Sequence, residues 1–188
     1  MTDILSLDEG YSTTRLLTQE KPQIINTPED KFETVLFLPE GENRKGEGGL
    51  RTKGYFKKSF DDKPLISIIT VVFNGEKYLE ETIQSVINQT YDNVEYIIID
   101  GGSTDGTLDI IRKYEDKIDY WVSEKDKGIY DAMNKGIDVA SGEWLNFMNA
   151  GDKLNGKEIL NYVFINSNIK NSDFIYSDTI FSNNTIFK

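Results

Sequence analysis

The 188-residue chain contains no cysteine and no histidine. Without cysteine there is neither a disulfide framework nor a thiolate metal site. Without histidine, a Ser-His-Asp triad, an imidazole base and histidine-ligated zinc are all excluded. Any catalysis or metal binding by this chain rests on carboxylates, amides, hydroxyls, Lys or Tyr. Positive charge is scarce too: 21 Lys and Arg stand against 32 Asp and Glu, a formal net charge of -11. Non-specific nucleic-acid binding relies on cations that neutralise phosphates, so nucleic acid is not an expected partner. Long apolar runs are also missing. The longest, LISIITVVF at 65–73, is far short of the roughly 20 residues a membrane span requires. The opening MTDILSLDEG has no basic flank followed by an apolar run, so it does not read as a signal peptide. The expectation is a soluble, cytoplasmic chain, with peripheral contact at the inner face of the cell membrane left open.

What is present suffices for one domain. Hydrophobic residues make up 38% of the chain, enough for a proper core. Residues 1–63 carry one short apolar patch, ETVLFL, and then PEGENRKGEGGLRTKG, rich in glycine and charge. They are expected to form a loop-rich N-terminal extension, either draped over the main domain or partly disordered.

From Pro64 onward, over 64–188, a rhythm sets in. The run at 65–73 is continuous and β-branched, the pattern of a strand covered on both faces. Tyr78, Leu79, Thr82, Ile83, Val86 and Ile87 then recur at helical spacing. VEYIII (94–99) is a second strand ending at Asp100, and Ser103, Thr104 and Asp105 offer N-cap side chains to the helix behind it. IDYWVS (118–123) is a third strand. A helix from Ile129 to Ala140 closes at Ser141-Gly142. EWLNFM (143–148) is a fourth strand, followed by NAGD (149–152). A helix near 158–165, a strand at 173–177 and a hairpin turning at Asn183-Asn184 complete the pattern. Alternating strands and helices predict an α/β fold with a Rossmann-like, mostly parallel sheet and helices on both faces.

In such sheets ligands sit outside the carboxyl ends of the strands. Three strands here end on polar groups: Asn74 with Glu76, Asp100, and Asn149 with Asp152. One candidate pocket follows, with Asp126 and Asp131 placed over the same edge. Each piece has a plainer reading. Asp100 can cap a helix, NAGD can be a simple turn, and the charge-dense EKDKGIYDAMNKGI (124–137) can be a solvated face. A phosphoacceptor site would need an acidic pair after the first strand, where Asn74-Gly75 stands. A nucleotidyltransferase would need a Gly-rich basic signature there, and VFNGEKYL has none.

Taken together, SIITVVFNGEKYLEETIQSVINQTY, IIIDGGSTDGTLDII, EKDKGIYDAMNKGIDVASGEW and FMNAGD resemble the family 2 glycosyltransferases, inverting enzymes of the GT-A fold. The DKGIYDAMNKG form is similar to a bacterial subgroup associated with surface-polysaccharide and lipopolysaccharide assembly. The resemblance implies a nucleotide-sugar donor, a UDP-sugar, and a glycan or lipid-linked acceptor. It implies that Val71 and Phe73 line the uracil and ribose pocket and that Asp100 accepts a hydrogen bond from the uracil imide. Glu76, Asp131 and Asn149 complete the expected nucleotide-sugar set, with Asp152 as ligand to Mg²⁺ or Mn²⁺ at the diphosphate. Two positions depart from the family pattern. Asn149 and Gly151 stand where acids are common, and Met133 stands where many members carry Arg. The family's general base lies well downstream of the metal motif, so no catalytic residue is assigned. The chain resembles the donor-binding half of the GT-A fold, incomplete at its C-terminus. A partner chain supplying the remainder, or a catalytically inactive nucleotide-sugar-binding module, is the alternative.

Overall fold

A computed structural model describes residues 3–24, 34–41, 43–166, 169, 172–175, 179–180 and 186–187. The centre is a five-stranded sheet of β1 (Gly46–Gly48), β2 (Ile66–Val72), β3 (Val94–Asp100), β4 (Tyr120–Ser123) and β5 (Trp144–Phe147). Its spatial order is β1-β4-β3-β2-β5. β2 pairs in parallel with β3 from Ile66↔Val94 to Val72↔Asp100, and with β5 from Ile66↔Trp144 to Ile69↔Phe147. β3 pairs in parallel with β4, and β1 adds an antiparallel edge. The sheet is thus mostly parallel, and its order turns back at β2.

Every residue of β2 and β3 is buried. The two-residue side-chain period divides them between two cores. Ile66, Ile68, Val72, Tyr96 and Ile98 face α1 (Leu79–Ile87) and α2 (Thr107–Lys113). Ile69, Val71, Ile97 and Ile99 face α3 (Ile129–Val139). Helices on both faces explain why these strands read as unbroken apolar runs rather than alternating ones.

Three boundaries differ from expectation. Helix α2 starts at Thr107 behind Gly106, without a side-chain cap. Asp105 Oδ1 instead accepts the Thr107 N–H at 3.0 Å, an Asx turn that competes with capping. The expected helix near 158–165 is one turn, α4 (Ile159–Asn161), running into a wider π turn (Tyr162–Asn166). Residues 173–175 form no strand, and 176–177 lie outside the described residues. β6 (Thr179–Ile180) and β7 (Ile186–Phe187) pair antiparallel, while the expected turn at Asn183-Asn184 also lies outside them.

The segment before Pro64 contributes more than loops. Besides β1, it buries Leu17, Leu36, Leu38, Leu50 and Phe56. The Arg51 guanidinium is buried, paired with Glu95 at 2.5 Å and donating to the Leu36 and Val139 carbonyls at 2.8 Å each. Breaking such a buried pair costs about 3–5 kcal/mol, so this contact fastens the segment to the sheet. No described helix is long and apolar enough to cross a membrane.

Candidate functional site at the carboxyl edge of the sheet

A cavity of about 550 Å³ opens at the carboxyl edge of the parallel strands. Val71 to Gly75 line it from the end of β2, Gly101 from the end of β3, and Asn149 and Ala150 from beyond β5. Lys125, Asp126 and Gly128 from the β4–α3 connection and Ile129 and Ala132 from the start of α3 close it. The cavity lies where the strand order turns back, with β3 on one side of β2 and β5 on the other. Chain connections diverge at such a point and leave a crevice, the place where open α/β sheets bind ligands.

The loops around the crevice are bonded to one another. Asn74 takes a left-handed conformation (φ 51°), which Asn tolerates better than most residues. Its N–H donates to Ser103 Oγ at 2.7 Å, and its Oδ1 accepts the Thr104 N–H at 2.8 Å. The Gly75 N–H donates to Thr107 Oγ1 at 2.8 Å, and Glu76 Oε2 accepts the Gly106 N–H at 2.7 Å. The small polar residues after β3 therefore brace the turn after β2.

Asp100 is fully buried. Its Oδ2 accepts the Ser103 N–H at 3.0 Å and the Ser123 hydroxyl at 2.5 Å, and its Oδ1 accepts the Ser103 hydroxyl. An acid ends this strand because three donors from the turn and from β4 converge on it. The carboxylate that lines the cavity is Asp126. A Cβ on Gly101 would come within 2.5 Å of Asp126 Oδ2, so the bare glycine makes room for that carboxylate.

Of the other expected residues, Val71, Phe73 and Asn149 line the cavity and Glu76, Asp131 and Asp152 do not. Phe73 is 65% exposed at the cavity wall. Asp131 Oδ2 accepts the Lys127 N–H at 3.1 Å at the start of α3. Asp152 lies exposed in a turn held by α1, where Thr82 Oγ1 accepts the Gly151 N–H at 2.9 Å and donates to the Asp152 carbonyl at 2.8 Å. Sequence reasoning had placed Asp126 over this edge without assigning it a role. Its position at the carboxyl end of β4 was the available signal. Tyr78 and Ile129, which also line the cavity, were read only as helix-face residues.

A hard cation such as Mg²⁺ or Mn²⁺ takes oxygen ligands, usually one or two carboxylates with phosphate oxygens and water. The donor set here fits that chemistry in kind. Asn149 Oδ1 is buried and takes no hydrogen bond, and Asp152 lies three residues along the same turn. Among the described residues no three acidic side chains cluster. A cation held here would draw most of its ligands from a diphosphate and water.

The architecture defines a class: an α/β domain with a ligand crevice at its topological switch point. Residues 67–161, half the chain, match the family described as glycosyl transferase family 2. The chain belongs to that family, and its sheet is the GT-A arrangement. A PGL/p-HBAD biosynthesis glycosyltransferase of Mycobacterium tuberculosis is 38% identical over 122 residues, covering 62% of this chain and 47% of that protein. A Bacillus subtilis protein named for teichuronic acid biosynthesis is 41% identical over 95 residues, covering 48% of this chain and 37% of its own length. Among solved structures, S. aureus TarS in complex with UDP-GlcNAc is similar at 30% identity and a TM-score of 0.47, over 52% of this chain and 29% of that one. The chain spans less than half the length of these relatives.

Proposed function

We propose that the cavity binds the nucleoside diphosphate of a UDP-sugar, and that the chain transfers the sugar to a glycan or lipid-linked acceptor in bacterial surface-polysaccharide assembly. The observation that carries the reading is the crevice itself. Apolar wall, the Asp126 carboxylate and the Asn149 side chain line it at the switch point of a family 2 glycosyltransferase domain.

The chemistry of the walls suits the parts of that donor. Val71, Phe73 and Ala132 offer apolar and aromatic surface to a base and ribose. The uracil imide N–H is a donor, and Asp126 is the lining carboxylate able to accept it. In this reading Asp100 acts one layer back, holding the turn that places Gly101. The exposed Lys125 supplies positive charge for phosphates, and Asn149 lines the cavity on the side of the turn that carries Asp152. A bound Mg²⁺ or Mn²⁺ would neutralise charge on the departing nucleoside diphosphate. With inversion, the acceptor oxygen bonds to the anomeric carbon from the face opposite the diphosphate. The bond to the diphosphate oxygen breaks, and the hydroxyl proton passes to a base.

Relatives named for PGL/p-HBAD and teichuronic acid biosynthesis support a cell-surface acceptor. The test is release of UDP from UDP-hexoses by the purified chain with Mn²⁺. The expected result is UDP release that falls at least about tenfold in Asn149→Ala, the loss of one favourable ligand contact worth about 1.4 kcal/mol. Binding of the donor without any release would instead support a nucleotide-sugar-binding module.

A further inference from the structure

Residues outside the family-matched segment 67–161 hold the loops that follow β3 and β4. Strand β1 pairs with β4 through Gly46↔Ser123, Glu47↔Val122 and Gly48↔Trp121, alongside the last residues before the cavity loop. The Lys45 N–H donates to the Ser123 carbonyl at 2.7 Å. The Lys45 ammonium reaches the other loop, donating to the Gly102 and Ser103 carbonyls at 2.8 Å each. Those two residues directly follow the cavity-lining Gly101.

Arg44 holds the β4–α3 connection. Its Nε donates to Glu124 Oε2 at 2.9 Å, and Nη2 lies 2.8 Å from the same oxygen. The other Glu124 oxygen takes Lys135 Nζ of α3 at 2.7 Å. Glu124 is 5% exposed. Burial alone would raise its carboxyl, but hydrogen bonds from Lys135 and Arg44 outweigh burial and hold it below the usual range. Arg44 also donates to the Pro39 carbonyl at 2.5 Å and pairs with Glu47 at 3.0 Å. The Glu47 carboxylate in turn accepts the Tyr120 hydroxyl at 2.6 Å. Gly41 lies so near that a Cβ there would come 2.3 Å from Glu124 Oε2. Glu124 thus sits under a lid of backbone and guanidinium, immediately before Lys125 and Asp126.

We propose that residues 43–48 are a built-in part of the donor site, with Arg44 and Lys45 as positioning residues. Arg44 sets Lys125 and Asp126 through Glu124, and Lys45 sets Gly101 through the carbonyls that follow it. Neither residue touches the ligand. Their effect is preorganisation: loops already held in the binding geometry need no ordering when the nucleotide arrives. The inference rests on the donor-site reading above and adds where the site's rigidity comes from.

The experiment is calorimetric titration of UDP, with Mn²⁺ present, into the full chain and its variants, each checked by a thermal melt. Arg44→Ala is expected to weaken UDP binding about tenfold, a change of about 1.4 kcal/mol, and Arg44→Lys to recover part of the loss. Glu124→Gln combined with Arg44→Ala is expected to lose little beyond Arg44→Ala alone, because both changes break one linkage. Lys45→Ala, which leaves no buried acid unpaired, is expected to weaken binding about threefold and covers the case in which Arg44→Ala does not fold. A residue that merely stabilises the fold would lower the melting temperature and leave affinity unchanged. Wild-type UDP affinity in folded Arg44→Ala and Lys45→Ala overturns the inference alone. No UDP binding by the unmodified chain overturns the donor-site reading, and the inference with it.

Discussion

Asp119 and Lys57 show what burial does to single groups in this chain. Both are nearly inaccessible. Asp119 Oδ2 accepts the Tyr96 N–H at 2.7 Å, and the Lys57 ammonium donates to the Arg15 carbonyl at 2.7 Å. Burial pushes the Asp119 carboxyl up to about 7, against the pull of Lys57. Burial likewise pulls the Lys57 ammonium down to about 8, against the pull of Asp119. The two act in different pH windows. From about 4 to about 7 the folded chain keeps a proton on Asp119 that the unfolded chain has released, so this group's contribution to stability falls as pH rises. From about 8 to 10.5 the unfolded chain keeps a Lys57 proton that the folded chain has lost, so stability rises with pH there. Asp119→Asn retains an acceptor for Tyr96 and removes the lower window. Between pH 4 and 7 the melting temperature of the unmodified chain should fall relative to that variant. Parallel melting curves across this range would contradict the assignment. Neither partner was legible in the sequence, because an Asp at the start of a strand and a Lys in a loop normally read as solvated. Asp126 was half legible. Its place after β4 showed, but its place at the cavity depends on Gly101 lacking a side chain.

Among the elements, α3 shows how closely the sheet is covered. A Cβ on Gly136 would come 2.4 Å from Ile69 Cγ2 on β2. Helix propensity favours Ala over Gly by about 1 kcal/mol. Overpacking a core contact costs about 1–3 kcal/mol. The contact wins: Gly136→Ala should lower the urea midpoint with an unchanged slope, and a raised midpoint would show that the helix can shift away. Strands β2 and β3 and helix α1 were legible because their signals are local: β-branched runs, and apolar residues at helical spacing. Strand β1 was not. Its GEG has no side-chain pattern and is specified from a distance by Trp121. A Cβ on Gly46 or Gly48 would come within 2.8 and 2.7 Å of that indole. The cap of α2 was misplaced for a related reason: Asp105 spends its carboxylate on a turn before the helix begins.

At the scale of the whole molecule, sheet order and loop bonding produce the site together. Parallel strands deliver Asn74, Gly101 and Asn149 to one edge, and the reversal at β2 opens a crevice between them. The convergence of strand ends follows from strand-helix alternation and was legible, whereas the reversal at β2 was not. The bracing by Arg44, Lys45 and Glu124 was not, since it joins residues 80 positions apart in sequence for the Arg44–Glu124 bond. The central claim is that this crevice takes a nucleoside diphosphate. The most direct measurement is titration of UDP and Mn²⁺ into the ¹⁵N-labelled chain, reading which backbone amides respond. The account predicts saturable shifts at Phe73, Gly75, Gly101, Gly128 and Ala150, with the far edge of the sheet near Gly142 unmoved. No saturable shift, or shifts centred away from the carboxyl edge, would contradict it.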